Sequence, residues 1–214
     1  MTNFPLSKNK TALSKILILF AHPALEKSRV QKKLVARARA TQGITFHDLY
    51  EAYPDFDIDV DREQELLLQH DVIILQHPFY WYSCPAIIKQ WEDLVLEHGW
   101  AYGTGGVALA GKKMLNAIST GGPEFVYSAE GRNRFTIAEF LRPFEQTAVL
   151  CKMNYLPPFV VHGTHKLAEA DMKSYAFQYE GLLTALREEQ ISEEAWQTVK
   201  YLNELVPLSQ TIKY

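Results

Sequence analysis

A run of four aromatic residues stands two residues after a strongly apolar stretch at Asp71 to Gln76. An apolar run of this length is typical of a strand that is buried on both faces, as in a parallel sheet. In an open α/β sheet, the loops that leave the carboxyl ends of the strands form the ligand crevice. Aromatic rings there, with Pro78 before them, predict a flat ligand that can stack, such as a flavin ring. The alternative is that the four are ordinary core or interface aromatics: Phe79, Tyr80, Trp81 and Tyr82.

A second loop follows the apolar run at Ile16 to Phe20, and it could hold a phosphate. His22 lies in this loop, and Ser28 stands where the next helix is predicted to begin. Both side chains, together with the free backbone amides of the helix, would form an anion site, because a helix N-terminus is electropositive. The loop has no glycine and therefore does not match the dinucleotide-binding fingerprint. Four basic residues surround this turn, either as a solvated face or as an attractor for phosphate: Lys27, Arg29, Lys32 and Lys33.

A third loop, after the apolar stretch at Lys113 to Ser119, carries Gly121 and Gly122. Glycines let backbone amides come close to a ligand, and these two could direct their N–H groups at the electron-rich edge of a reduced ring. The alternative is a plain glycine turn.

The other reactive residues give no sign of a different cofactor. The sequence GVALAGKK at 106–113 nearly matches a phosphate-binding loop, but the magnesium-binding hydroxyl is missing and a strand is predicted to follow. His162 and His165 form an isolated HxxH pattern, so we expect no metal site. Cys84 precedes a helix but has no base beside it in the sequence, so we expect it to be structural.

The apolar patterns predict the elements that must position these loops. Ser28 and Gln31 form a predicted capping box, and Pro143 should interrupt the helix at 136–150. The alternation predicts an α/β fold: a flavodoxin-like three-layer sandwich with a five-stranded parallel sheet in the order 2-1-3-4-5 and helices on both faces. We expect strands at 16–20, 44–49, 71–76, 113–119 and 158–162, and helices at 28–41, 62–70, 85–98, 136–150, 168–188 and 193–206.

The composition is that of an ordinary globular chain. The 214 residues are 47% hydrophobic, and the formal net charge of -3 argues against a nucleic-acid partner. Two cysteines without a CxxC pattern favour a reducing, cytoplasmic location. The sequence has neither the apolar run of a signal peptide nor a window that could span a membrane. We expect a loose leader at 1–14, a flavodoxin-like flavin-binding domain at 15–188 and a C-terminal helical extension at 189–214.

Eight motifs occur in an order that few families would combine. They are AHP at 21–23, HDLYEAYPDFDIDVDREQ at 47–64, QHPFYWYSCPAIIKQW at 76–91, HGWAYGTGG at 98–106, LAGKK at 109–113, STGGPE at 119–124, LRPFEQTA at 141–148 and YLPPFVVHG at 155–163. With these motifs the chain resembles the flavodoxin-fold NAD(P)H:quinone oxidoreductases. The resemblance is strongest to the bacterial ancillary proteins of glutathione-regulated potassium-efflux systems, and it extends over residues 15–186.

The resemblance implies a non-covalent flavin, FMN with FAD as the alternative, and NAD(P)H as co-substrate. It places the phosphate and the ribityl chain on the loop after the first strand, and the ring on the aromatic loop. Further contacts follow the fourth strand. The implied cofactor-binding residues are His22, Ser28, Arg29, Val30, Gln31, Pro78, Phe79, Tyr80, Trp81, Ser119, Thr120, Gly121 and Gly122.

The resemblance also implies a catalytic tyrosine and a homodimer. Tyr127 matches the active-site tyrosine of these enzymes, and with Gly121 and Gly122 it completes the implied catalytic set. Tyr102, close to Trp100, matches an aromatic residue that in the mammalian enzymes reaches into the partner's site. We therefore expect the active sites to lie at a subunit interface.

Together the residues and the resemblance predict a two-step exchange in which NAD(P)H reduces the flavin and a quinone is then reduced by two electrons. Asn133 stands where these enzymes have a histidine, and an amide cannot take up a proton, so a Tyr–His relay is not expected. The alternative is a regulatory subunit that activates a potassium-efflux antiporter at the inner face of the membrane, with weak or no turnover. A one-electron carrier is disfavoured by the modest net charge.

Overall fold

The computed structural model describes residues 13–208, which form a parallel sheet with helices on both of its faces. The strands are β1 Ile16–Phe20, β2 Ile44–Asp48, β3 Val72–Pro78, β4 Lys113–Ser119, β5 Asn154–Tyr155 and β6 Phe159–Val161. The helices are α1 Arg29–Ala40, α2 Leu49–Ala52, α3 Val60–Leu68, α4 Ala86–Val95, α5 Ile137–Phe140, α6 Arg142–Leu150, α7 Glu169–Arg187 and α8 Glu193–Gln197. Turns of 3₁₀ helix lie at Leu25–Lys27, Glu124–Val126 and Leu202–Leu205. Among the described residues, no helix combines the length and the apolarity that crossing a bilayer would need.

The sheet confirms the predicted strand order. β2, β1, β3 and β4 pair side by side in parallel, and both β5 and β6 pair with the free side of β4. The fifth position of the order 2-1-3-4-5 is therefore shared by two short strands. Pro157 and Pro158 separate them, because proline has no N–H to donate to a ladder. The single strand predicted at 158–162 thus misses β5 and extends slightly beyond both ends of β6.

Two apolar cores lie on the two faces of the sheet, and β1 contributes to both. Leu17 and Leu19 belong to the core under α4 and α6, whereas Ile18 and Phe20 belong to the core under α1 and α7. Every residue of β1 and β3 is buried. Burial on both faces explains why these two strands have continuous apolar sequences instead of alternating ones.

The helix predicted at 193–206 is wrong over most of its length. Helix α8 ends at Gln197, and only a short 3₁₀ turn follows, in which the Leu202 N–H donates to Pro158 O just before β6 and the Asn203 side chain bonds to Val160 of β6. Tertiary hydrogen bonds thus override the local helical pattern. The helix predicted at 136–150 is interrupted as expected. It consists of α5 and α6, and Pro143 lies in the first turn of α6.

The predicted capping box is only half present. Ser28 Oγ accepts a hydrogen bond from the Gln31 N–H at 3.1 Å, as expected. The Ser28 N–H, however, donates to Leu25 O, and the Gln31 side chain turns into the core. The predicted leader at 1–14 lies outside the described residues except for its last two, and the domain boundary at 188 stays a prediction.

Candidate functional site

A cleft of about 770 Å³ opens at the carboxyl ends of β1, β3 and β4. This volume is within the range of small-molecule sites, and the position is the one expected for a parallel α/β sheet. The residues that line the cleft are His22, Ala24, Lys27, Ser28, Arg29, Val30, Pro78, Phe79, Tyr80, Trp81, Tyr82, Ser119, Gly121, Gly122, Pro123, Tyr127, Arg132, Asn133, Thr164 and His165. Within the described part of the chain, no carboxylate lines the cleft, so its fixed charges favour an anionic ligand.

The α1 end of the cleft presents hydrogen-bond donors to an anion. The Ala24 N–H donates to His22 Nδ1 at 3.1 Å, which leaves the ring proton on Nε2. Burial lowers the pKa of His22, so the ring is neutral and donates from Nε2. Ser28 caps α1, and the N–H groups of Arg29 and Val30 in the first turn have no partner inside the helix. This end of the cleft can therefore hold a phosphate.

The aromatic wall of the cleft is a tight turn in an uncommon backbone conformation. The Ser83 N–H donates to Tyr80 O at 2.9 Å, and φ is 51° at Trp81 and 62° at Tyr82. Two successive positive φ values are typical of a type I′ turn, which asparagine and glycine usually occupy. Trp81 is 93% exposed, whereas Tyr82 stacks on Phe140 with ring centroids 5.2 Å apart. The turn therefore holds a large indole beside the cleft at a cost in backbone energy.

The loop after β4 brings two glycines and Tyr127 to the cleft. A Cβ at Gly121 would lie 2.6 Å from His165 Nε2, and one at Gly122 would lie 2.9 Å from Val126 Cγ2. Packing within the chain is thus sufficient to explain both glycines. Tyr127 is 6% exposed, and its ring packs among three other rings at centroid distances of 5.7, 5.9 and 6.4 Å.

A chain of buried side chains supports the cleft from behind. The Tyr179 hydroxyl donates to Gln76 Oε1 at 3.0 Å, and Gln76 Nε2 donates to Gln31 Oε1 at 2.9 Å. Gln31 Nε2 in turn donates to Ser119 Oγ at 2.9 Å. The two glutamines and the tyrosine are fully buried. Because each donor in this row of hydrogen bonds has an acceptor, the network fixes the position of Ser119 in the cleft lining.

A second buried network fixes the start of the aromatic loop. His77 Nδ1 donates to Pro78 O at 2.9 Å, and Asn116 Nδ2 donates to His77 Nε2 at 3.1 Å. The Tyr155 hydroxyl completes the network by donating to Asn116 Oδ1 at 2.6 Å. Complete burial lowers the pKa of His77 to about 4. His77 is therefore a neutral structural residue behind the cleft.

The structure brings most of the predicted site residues together on this one cleft. Those that line it are His22, Ser28, Arg29, Val30, Pro78, Phe79, Tyr80, Trp81, Ser119, Gly121, Gly122 and Tyr127. Gln31 and Thr120 are buried and do not line it. Trp100 and Tyr102 lie in the loop between α4 and β4 and do not line this cleft either.

Sequence reasoning misses several lining residues: Ala24, Pro123, Arg132, Thr164 and His165. Thr164 and His165 follow β6, so the rule that sites form at the carboxyl ends of strands could have found them. Arg132 lies in the same loop after β4 as Gly121 and Tyr127, but an arginine in a polar loop carries no signal of its own. Its place in the lining follows only from the fold.

Comparison with known sequences finds relatives over most of the chain. The sequence profile of a family described as having a flavodoxin-like fold matches residues 14–183. YrkL of Bacillus subtilis, named as an uncharacterized NAD(P)H oxidoreductase, is 51% identical over 162 residues, which cover 76% of this chain and 93% of the relative. KefG of Pectobacterium atrosepticum, named as a glutathione-regulated potassium-efflux system ancillary protein, is 46% identical over 177 residues, which cover 82% of this chain and 97% of the relative.

Solved structures share both the fold and part of the sequence. The general stress protein 14 of Treponema denticola, solved in complex with FMN, has a TM-score of 0.77 and 44% identity. That alignment covers 80% of this chain and 99% of the other. An NADPH-quinone reductase from P. pentosaceus has a TM-score of 0.71 and 38% identity, covering 78% of this chain and 95% of the other.

Proposed function

This chain belongs to the flavodoxin-like fold family, and from that premise we propose that it is an FMN-dependent NAD(P)H:quinone oxidoreductase. The observation that carries the proposal is the composition of the cleft. One end presents the donors of a helix N-terminus, the aromatic turn lies beside them, and the described lining contains no carboxylate. A ligand with a phosphate and a flat ring system satisfies all three features.

The residues at the α1 end would bind the FMN phosphate. Neutral His22 donates from Nε2, Ser28 donates its hydroxyl hydrogen, and the first N–H groups of α1 add the helix dipole. Lys27 and Arg29 add positive charge. FMN is proposed over FAD because the Treponema denticola relative, at 44% identity, was solved with FMN.

The aromatic turn and the loop after β4 would hold the ring. Trp81 and Tyr80 offer aromatic surface to it, and Gly121 and Gly122 offer backbone N–H groups to its electron-rich edge. When bound, FMN supplies the redox chemistry, accepting a hydride from NAD(P)H and delivering two electrons to a quinone in a separate step. The protein's part is to orient the partners and to exclude water from the aromatic side of the cleft.

Tyr127 would donate a hydrogen bond to the acceptor oxygen on which negative charge develops. Its ring is buried among other rings, and the residue lines the cleft, so its hydroxyl is held in a fixed place. Tyr127→Phe should lower the rate of quinone reduction about tenfold, the scale of one hydrogen bond made in the transition state. Full activity of this variant with menadione would remove the proposed role.

We further propose a cytoplasmic homodimer in which Trp100 and Tyr102 complete the partner's site. Both residues lie outside the cleft of their own chain, and the indole of Trp81 is exposed where a second subunit could cover it. Sedimentation of the purified protein tests this proposal directly. A monomer that is fully active at assay concentration would contradict it.

The visible spectrum of the purified protein tests the cofactor proposal. We expect a yellow protein that releases FMN on heating and oxidises NADH or NADPH in the presence of menadione. The nucleotide released decides between FMN and FAD. Protein that is colourless, and that does not quench flavin fluorescence when FMN is added, would contradict the proposal.

A second candidate function is regulation of a potassium-efflux antiporter, which the 46% identity to KefG favours. Asn133 lines the cleft and cannot accept a proton, which is compatible with slow turnover. The two functions are separated by measuring menadione reduction by the FMN-loaded protein. Turnover well below one per second would favour the regulatory function over the enzymatic one.

A further inference from the structure

Residues 200–206, which we call the C-terminal strap, lie beyond the stretch 14–183 that matches the family profile. The strap is nevertheless packed into the domain. Tyr201 joins the core under α4 and α6, and Leu202, fully buried, joins the core under α1 and α7. Tyr201 is extended and stands directly before the 3₁₀ turn at Leu202–Leu205, and these two consecutive side chains reach opposite faces of the sheet.

Hydrogen bonds fix the strap along β6. The Leu202 N–H donates to Pro158 O at 3.0 Å. The side-chain amide of Asn203 pairs with the backbone of Val160, accepting from its N–H at 2.8 Å and donating to its carbonyl at 3.2 Å. Gln178, buried on α7, donates to Asn203 O at 2.9 Å. The strap is therefore tied to the sheet and to a helix at once.

The beginning of the strap reaches the cleft wall that follows β4. The Tyr201 ring packs on the His162 ring at 5.5 Å between centroids, and the His162 ring packs on Tyr127 at 5.7 Å. Lys200 Nζ pairs with Glu124 Oε1 at 2.9 Å, and Glu124 begins the 3₁₀ turn that leads to Tyr127. Two separate contacts thus connect the strap to the wall that carries Tyr127.

His162 is a fixed and uncharged spacer between the two tyrosines. The Thr120 hydroxyl donates to Gly122 O at 2.8 Å, so it accepts a hydrogen bond from His162 Nδ1 at 3.1 Å. Burial lowers the pKa of His162 to about 4, and the ring is neutral at physiological pH. The ring therefore has one tautomer and one anchoring partner, and it can transmit a displacement of Tyr201 to Tyr127.

We propose that the C-terminal strap is a positioning element for quinone reduction. Tyr201 fixes the position of the Tyr127 ring through His162, and Lys200 holds the turn at Glu124–Val126 in place. The role in quinone reduction rests on the function proposed above. Neither Tyr201 nor Lys200 lines the cleft, so both act through other residues. The acceptor step would then depend on a segment outside the family profile.

The structural part of the proposal is testable without cofactor or turnover. In fluorotyrosine-labelled protein, the fluorine NMR resonance of Tyr127 is assigned by its loss in Tyr127→Phe. Tyr201→Ala should shift this resonance, whereas Tyr201→Phe, which keeps the ring, should not. Leu205→Ala is the matched control, because Leu205 packs against the α1 and α7 side of the sheet. An unchanged Tyr127 resonance in Tyr201→Ala, or an equal shift in Leu205→Ala, would overturn the proposal.

The catalytic part is tested by rapid kinetics of the two half-reactions of the FMN-loaded protein. Tyr201→Ala should slow reoxidation by menadione about tenfold and change reduction by NADPH less than about twofold. In a Tyr127→Phe background the same substitution should have almost no further effect on reoxidation, because Tyr201 acts through Tyr127. Equal slowing of reoxidation in both backgrounds would show that Tyr201 does not act through Tyr127.

The ion pair gives an independent test if Tyr201→Ala fails to fold. Lys200→Glu should shift the Tyr127 resonance, and adding Glu124→Lys should restore it. An unshifted Tyr127 resonance in Lys200→Glu would contradict the proposed positioning role of the strap. A protein that binds no FMN would disprove the proposed function while leaving the NMR test intact. An active enzyme whose Tyr127 resonance stays unchanged in every strap variant would disprove only the positioning role of the strap.

Discussion

Replacing Trp81 by asparagine should stabilise the protein while weakening its cofactor site. Trp81 occupies the first central position of the turn at φ 51°, a region that costs an L-amino acid about 1 kcal/mol and that asparagine tolerates. The indole is 93% exposed, so its loss removes on the order of 0.4 kcal/mol of burial. The difference predicts a gain of about 0.5 to 1 kcal/mol in the free energy of unfolding.

Urea unfolding of the cofactor-free protein, with every variant at the same protein concentration, measures this gain. For a chain of this size the thermal midpoint should rise by about 2 °C. Trp81→Ala is the matched control, because it removes the same indole but keeps the positive-φ penalty. Its stability should stay within about 0.5 kcal/mol of the wild type.

The same variants should lose affinity for FMN. An aromatic contact contributes about 0.5 to 1.5 kcal/mol, so both Trp81→Asn and Trp81→Ala should raise the Kd about twofold to tenfold. Titration of flavin fluorescence measures the change. The reasoning is refuted if Trp81→Asn is no more stable than Trp81→Ala, because the turn would then store no strain. Unchanged FMN affinity would refute the stacking role.

Three further predictions follow from burial and charge. Burial holds the pKa of His77 at about 4, below its ordinary 6.5, so the unfolded chain binds more protons than the folded one between these values. His77 alone should therefore contribute up to about 3 kcal/mol to the fall in the free energy of unfolding from pH 7 to pH 4, so this fall should be smaller by that amount in His77→Gln, as measured by urea unfolding at each pH. Gln31→Leu leaves the Gln76 amide and Ser119 without their partner and should cost about 2 to 4 kcal/mol, whereas exposed Gln69→Leu should change stability by less than about 0.5 kcal/mol. Lys27→Gln should raise the Kd for FMN about threefold at low salt and less at high salt, whereas Lys32→Gln, outside the cleft lining, should leave it unchanged in fluorescence titrations.

The fold could be predicted because its strands carry their own signal. β1 and β3 are buried on both faces, so their sequences are apolar throughout and stand out from the amphipathic helices. β5 carries no such signal, since it has only two residues and is held in place by pairing with β4. The helix predicted at 193–206 fails for the same reason, because Asn203 binds a strand that is distant in sequence.

The cleft could be predicted where its residues follow strands with a distinctive composition. The aromatic turn and the glycines after β4 were identifiable from residue type and position alone. The support behind the cleft was not, because Gln31 fits a capping pattern locally while its side chain bonds to Ser119, far along the chain. Side chains that act across the sheet leave no periodic trace in the sequence.

The edge of the sheet that β5 and β6 share also limits how molecules of this protein can associate. An exposed edge ordinarily offers a row of free N–H and C=O groups to any other extended chain. Here Pro157 and Pro158 interrupt that row, and the amide of Asn203 occupies Val160 beyond them. Strand addition by a foreign polypeptide is blocked along this border. Contacts between copies at this border must therefore use side-chain surfaces, and concentrated solutions should not form fibrils by growth from β6.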